Sequence, residues 1–290
     1  MNVMDRGLPA NHGEIAEGGI RRPECTAVLY SIGVLNGFAP VVLESIRAQG
    51  LWEALAWTFG ISIVDVAAVA VGVHLARQSP RTPLRGRDYV AAALFALLIL
   101  VPHRAMSWAA VTGLAVYELA RNRRSAPAVA AASVFILLAA SVFWGRVLAQ
   151  VFADTLLSWD AWLAAGFLDL LAGGGVERVA NVILTDHGSL VVSASCSSLR
   201  NVLYGLLCWL TIVRALRPEW RRGDLIAAVI VSGTVVAANT LRISFLGLSN
   251  ESYERLHGVL GENIFNLGLL LFTATVAIYT SRHQATRVAR

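Results

Sequence analysis

The 290-residue chain has no lysine, and all 24 of its basic side chains are arginine. Together with the abundance of alanine, this reads as a bias of GC-rich coding and says little about mechanism. Charge of either sign is scarce: 15% of residues are charged, 56% are hydrophobic, and mean hydropathy is +0.61. A soluble domain of this size carries more charge, so the balance points to an all-α polytopic integral membrane protein. Cysteine is rare as well, with Cys25, Cys196 and Cys208 the full set. Cys196 and Cys208 fall about 18 Å apart on one expected helix, too far to bridge, and Cys25 is expected on the other side of the membrane. No disulfide framework follows. Metal-spaced His/Cys clusters, a P-loop and a dinucleotide fingerprint are also missing, and Gly173–Gly175 lack the strand-to-helix setting that phosphate binding needs. No cofactor and no metal are expected. The net charge of +5 does not indicate nucleic acid, because the arginines fall in short clusters between apolar runs.

Those apolar runs predict about eight transmembrane helices, at 26–46, 52–76, 88–102, 106–120, 127–152, 197–216, 225–248 and 259–280. The third and fourth share a tight turn at Pro102, His103 and Arg104. With eight spans, five arginine clusters share one side: Arg21/Arg22, Arg77–Arg87, Arg121–Arg124, Arg214–Arg222 and Arg282–Arg290. By the positive-inside rule that side is the cytoplasm, and both termini lie there. Residues 155–172 are apolar enough to tempt a further span, but one more crossing would move every later cluster outside. An interfacial helix on the outer face, anchored by Trp159 and Trp162 and interrupted by Asp160 and Asp169, fits better. Gly173–Gly175 end it. Val179–Leu184 and Ser189–Ala194 then read as a short β-hairpin around Asp186-His187-Gly188, delivering Cys196 to the outer end of the sixth span. The expected organisation is a cytoplasmic tail (1–25), an N-terminal bundle of about five spans (26–152), and an extracytoplasmic helix and hairpin (153–195). A three-span core (196–281) and a second cytoplasmic tail (282–290) complete it.

This topology brings three reactive groups to one depth. Cys196 opens the sixth span. Arg242 lies ~26 Å along the seventh, in its outer third. His257 occupies the outer loop before the eighth. Each has a bland reading. Cys208, deep between Leu207 and Trp209, is a small hydrophobe. Arg242 can be structural, paired with an acid such as Asp65, although an arginine in a span costs about 2.5–3.5 kcal/mol and calls for a partner or a function. His257 alone reads as a solvated loop histidine. Of the other histidines, His187 reads as turn chemistry with Asp186, His103 as a residue bordering the outer interface, and His74 and His283 as solvated cytoplasmic residues. Cys196 differs in standing at an aqueous boundary near Arg200, where a cation favours a thiolate nucleophile. Taken together, the trio fits acyl transfer. The thiolate forms a thioester, histidine moves the thiol proton to the leaving amine, and arginine holds the developing oxyanion.

Three blocks carry a family resemblance: Ala194-Ser195-Cys196-Ser197-Ser198-Leu199-Arg200, Asn239-Thr240-Leu241-Arg242-Ile243 and His257-Gly258-Val259-Leu260-Gly261. They resemble, in order and spacing, the A-x-C-S-G-[LI]-R, N-x-x-R-[IV] and H-x-x-x-G blocks of the exosortase and archaeosortase family of membrane cysteine transpeptidases. The resemblance implies Cys196 as nucleophile with Arg242 and His257 as partners, and supporting or substrate-binding roles for Arg200, Asn239 and Ser197. It implies exported protein substrates bearing a C-terminal signal of the PEP-CTERM kind: a short motif, a transmembrane helix and a basic tail. Cleavage would occur at the outer face of the cytoplasmic membrane, with transfer to a cell-surface acceptor. The implied partners are those substrates and the lipid bilayer, and no nucleic acid. Ser198 departs from the pattern, standing where the family usually has glycine; a side chain there either crowds the approach of substrate to the backbone or marks a subfamily, and it leaves the recognition motif open. The alternative reading is a transporter or non-catalytic assembly partner for surface polysaccharide or protein export, with Arg242 as an anion contact.

Overall fold

The computed structural model describes residues 21–288. Its helices in chain order are α1 (Arg22–Gln49), α2 (Leu51–Ala56), α3 (Ile63–Arg77), α4 (Gly86–Leu100), α5 (Arg104–Arg121), α6 (Ala126–Ala139), α7 (Gly145–Val151), α8 (Ala153–Ala172), α9 (Ser198–Leu216), α10 (Arg222–Leu246), α11 (Asn250–His257) and α12 (Val259–Val288). Local chemistry sets many of the boundaries. Proline stands in the first turn of α1 and of α6, where its missing N–H leaves no intrahelical bond unmade. The side chains of Ser62, Ser125, Ser197 and Ser249 accept backbone N–H groups at the starts of α3, α6, α9 and α11. Gly173, at φ 81°, ends α8 in the left-handed conformation.

Six helical stretches are long and apolar enough to cross a bilayer: Arg22–Gln49, Ala126–Val151, Ala153–Ala172, Ser198–Leu216, Arg222–Leu246 and Leu260–Arg282. Large apolar side chains face outward from several of them, among them Leu35, Leu225 and Leu260. An apolar exterior on an apolar core is what a lipid-facing bundle requires. The second expected span is not one helix. Over 52–76 the chain forms α2, a 3₁₀ turn at Thr58–Gly60 and then α3, because Thr58 and Phe59 take positive φ values of 52° and 54°. At 15 residues each, α3 and α4 reach only about 22 Å, short of a ~30 Å hydrocarbon layer. Arg22–Cys25, expected in the tail, already belong to α1, and α12 continues through residues expected in the second tail. The rest of the first tail, residues 1–20, and residues 289–290 lie outside the described part of the chain.

The first half packs α1, α3, α4, α5 and α6 around Tyr30, stacked on Phe135 at 3.8 Å, and Trp108, edge-on to Phe38 at 5.3 Å. Between α6 and α7 the helix loosens into one π turn at Ala140–Trp144, where Arg104 donates to the Val142 carbonyl. The inserted residue shifts the register of α7.

In the second half α9 and α10 form an antiparallel pair, with α12 packed against both. At one end of the pair Asn239 bonds to Ser198. At the other Arg214 and Arg217 hold Asp224, with Arg214 and Asp224 fully buried. The counterpart in the first half joins Arg22, Asp88, Glu118 and Arg121. Several arginines read from sequence as loop charge are therefore buried and neutralised by acids that tertiary packing brings to them.

Helix α8 packs against α10 and reaches the start of α9. Asp160 accepts the Ser198 N–H, Ser244 donates to the Ala164 carbonyl, and Leu168 packs where Gly247 leaves room for it. A β-carbon on Gly247 would stand 2.6 Å from the Leu168 side chain, so a larger residue here would have to displace the leucine methyl. These three contacts, one helical turn apart along α8, tie it to the start of α9 and the last turns of α10. A three-stranded antiparallel meander follows: β1 (Glu177–Val179), β2 (Val182–Thr185) and β3 (Gly188–Val191), in that spatial order. The chain thus has one more strand than the expected two, and β3 ends at Val191 rather than Ala194. Val192 closes the sheet by exchanging hydrogen bonds with Asn181.

Candidate active site

Cys196 lies at the end of a 3₁₀ turn, Ala194–Cys196, directly before α9. The thiol is half-buried among the apolar side chains that join α8, the sheet and α10. The Ser193 hydroxyl approaches its Sγ at 3.8 Å. The backbone on either side is held by two buried polar groups. Asn239, wholly buried on α10, donates to the Cys196 carbonyl at 2.7 Å and to Ser198 Oγ at 3.0 Å, and accepts from Asn201 Nδ2 at 3.0 Å. Asp160 takes the Ser198 N–H at 2.9 Å. Ser197, also buried, caps α9 through its hydroxyl. The bonds from Asn239 to Ser198 and from the Ser198 N–H to Asp160 are buried, in a low-dielectric setting where an unmade partner would cost about 1–3 kcal/mol, so they fix the arrangement of the segment.

Ser198 does not stand in an open approach to the thiol. Its side chain is buried at 7% exposure, with Oγ in the Asn239 network. The expected crowding of substrate therefore has no counterpart in the placement of this hydroxyl.

Asn239 and Arg242 are three residues apart, hence neighbours on one face of α10. Arg242 and Arg200 both line a cavity of about 600 Å³ together with Asp65, Arg146, Tyr204 and Glu262. The Arg242 guanidinium lies over the Phe265 ring at 4.9 Å, and its Nε is buried with no hydrogen-bond partner. Asp65, considered from sequence as a mate for Arg242, shares the cavity, but among the described residues no ion pair joins them.

His257 is the last residue of α11, exposed and stacked on Tyr253 at 4.8 Å. Its ring is not part of the cavity lining. The glycine of its block has a clear physical role. A β-carbon on Gly261 would stand 2.5 Å from the Arg255 carbonyl oxygen and 2.7 Å from the Leu256 backbone. Glycine is thus what lets α12 start tight against the last turn of α11, which carries His257.

The structure accordingly gathers Cys196, Ser198 and Asn239 in one hydrogen-bonded unit, with Ser197 between them capping α9, sets Arg242 and Arg200 on the adjoining cavity, and holds His257 on a separate short helix. Asp160 is the positioning residue that the sequence reading passed over. Its only signal was an acid within an apolar helix, taken there as evidence against a membrane crossing.

Comparison with curated proteins and with solved structures gives no match. The family model described as transmembrane exosortase (Exosortase_EpsH) matches residues 48–279, which take in α3 to α11, all three sequence blocks and most of α12. The chain therefore belongs to the transmembrane exosortase family.

Proposed function

We propose that this chain is a membrane-embedded cysteine protease or transpeptidase that cleaves C-terminal sorting signals of exported proteins, with Cys196 as its nucleophile. The observation that carries the reading is the buried Asn239 amide bonded to the Cys196 carbonyl. It fixes the thiol-bearing backbone to the helix face that presents Arg242. In the mechanism, Cys196 Sγ attacks the scissile carbonyl carbon and His257 takes the thiol proton. The oxyanion is held by Arg242, then collapses to a thioester as the C–N bond breaks and His257 returns the proton to the leaving amine. Water or an acceptor amine or hydroxyl next attacks the thioester, and the thiol is released. His257 reaches Sγ by movement of α11 when substrate binds, since catalytic contacts often tighten only in the complex. Arg200 supports the substrate at the start of α9, and Ser197 and Asn239 hold the nucleophile's backbone.

In this reading the chain crosses the cytoplasmic membrane about eight times, with both termini and the Arg214/Asp224 cluster inside. Helix α8 lies in the outer interface, and the site is on the outer face. Substrates carry a short motif, a transmembrane helix and a basic tail, and the new carboxyl end passes to a cell-surface acceptor. Cys196→Ala tests the reading. Co-expressed with a candidate substrate, the variant should reach the membrane in normal amount and leave the substrate uncut. Normal processing by the variant would sink the proposal and favour a transporter or assembly partner.

A further inference from the structure

The cavity beside the site is built for more than the support of a thiol. It lies among the starts of α3, α9 and α12, with α7 and α10 completing the wall, and its volume is about 600 Å³. Its polar part carries three guanidinium groups, Arg146, Arg200 and Arg242, against two carboxylates, Asp65 and Glu262. Among the described residues none of the three arginines lies within ion-pair distance of a carboxylate. Two polar atoms are buried without partners. One is Arg242 Nε. The other is Asp65 Oδ1, on a side chain only 6% exposed whose Oδ2 takes one long bond from the Tyr204 hydroxyl at 3.5 Å. The remainder of the lining is mixed: Ser62, Asn201, Asn266 and Thr273 are polar, and Val64, Val235, Leu269 and Leu270 give it an apolar wall.

A half-buried arginine with a sequestered, unpaired Nε and a buried carboxylate with one unpaired oxygen stand in one cavity, and both are relieved by a ligand that offers an anion and a hydrogen-bond donor together. We infer that this cavity binds the headgroup of a phospholipid. The phosphate sits among the three guanidinium groups, whose planar forks match its oxygens. A headgroup amine or hydroxyl donates to Asp65 Oδ1, and the adjoining chain lies on the apolar wall. An acidic peptide side chain would meet the arginines but leave Asp65 Oδ1 unpaired and the apolar wall uncovered. The bound headgroup takes up Arg242 and Arg200, which the proposed cleavage also uses, so headgroup and substrate occupy these side chains in turn; the binding itself does not require the thiol and is read without any cleavage assay.

The test uses full-length protein, delipidated in detergent, with lipid binding read by native mass spectrometry and by the shift in thermal midpoint. Phosphatidylethanolamine and phosphatidylglycerol should bind and raise the midpoint, and diacylglycerol of the same chains should not. Arg146→Gln, an exposed position, should weaken phospholipid binding about tenfold or more, the loss expected of one charge-assisted contact. Arg200→Gln serves the same purpose should that variant not hold its fold. Asp65→Asn should weaken phosphatidylethanolamine more than phosphatidic acid, which lacks the headgroup donor. Equal binding of diacylglycerol, or no loss in either arginine variant, overturns the inference. Inorganic phosphate binding as tightly as phospholipid would reassign the cavity to a free anion. Protection by an acidic peptide but by no phospholipid would reassign it to the protein substrate.

Discussion

Replacing Asn239 by alanine removes the link between α10 and the nucleophile without touching the thiol. The side chain makes three hydrogen bonds, at 2.7, 3.0 and 3.0 Å, from a wholly buried position. Ser198 can turn its hydroxyl and half-buried Asn201 can reach water, but the Cys196 carbonyl is left without this donor. Taking about 0.5–1.5 kcal/mol net for each lost bond, with the higher figure for the orphaned carbonyl, the fold should lose about 2–4 kcal/mol. That is a large share of a typical total of 5–15 kcal/mol. The larger effect should be on the reaction. A freed Cys196 backbone that relaxes by about 1 Å implies a rate loss of roughly 10²-fold, since reacting groups must be held that closely. Asn239→Asp separates the two effects. It preserves volume and the bond from Asn201 but replaces the donor with a carboxylate facing the Cys196 carbonyl. The assays are thermal midpoint in detergent and single-turnover cleavage of a substrate segment in proteoliposomes. Both variants should cleave at 1% of the normal rate or less, with Asn239→Asp at least as impaired as Asn239→Ala. Cleavage at the normal rate by Asn239→Ala, with an unchanged midpoint, would refute the claim that this residue sets the nucleophile.

Two further substitutions probe the elements around the thiol. Gly261→Ala forces a methyl group onto the Arg255 and Leu256 backbone. It should displace α11 and cut cleavage by about tenfold or more through His257, while the far ends of α9 and α10 stay intact; native-state hydrogen exchange confined to α11 and the start of α12 would confirm the locality. The free edge of β3 is the expected seat of an extended substrate segment. Val192 N–H is spent on Asn181, whereas Val191 sits in the preceding, non-bonded pair with Val182 and turns its N–H outward. Val191→Pro should therefore impair cleavage with little loss of stability, and Val192→Pro should lower both. Equal effects of the two on cleavage and on thermal midpoint would argue against docking on this edge.

Much of this was legible from residue order. The turn at Pro102-His103 separates α4 from α5, and the glycine run ends α8, because proline and glycine constrain the backbone wherever they stand. The break within the second expected span was not legible. Trp57-Thr58-Phe59 is apolar, and hydropathy carries no information about the left-handed φ values that end the helix there. Arginine clusters indicated one end of the bundle, but not that Arg22, Arg214 and Arg217 fold back into buried pairs with Asp88, Glu118 and Asp224. Such pairs depend on which helices become neighbours. The same limit hid Asp160, whose partner is a backbone N–H on another helix, and the burial of Ser198 against Asn239. The motif blocks named Asn239, but only its burial explains why an amide is needed there.

The central claim is a covalent one: an acyl group resides on Cys196 between cleavage and transfer. Incubating the protein with a substrate segment, quenching in acid and mapping the peptides by mass spectrometry tests it directly. The account predicts an adduct on Cys196, released by hydroxylamine and absent from Cys25 and Cys208. Cleavage that proceeds with no adduct on Cys196 under any quench, or an adduct of equal yield on Cys208, would contradict it.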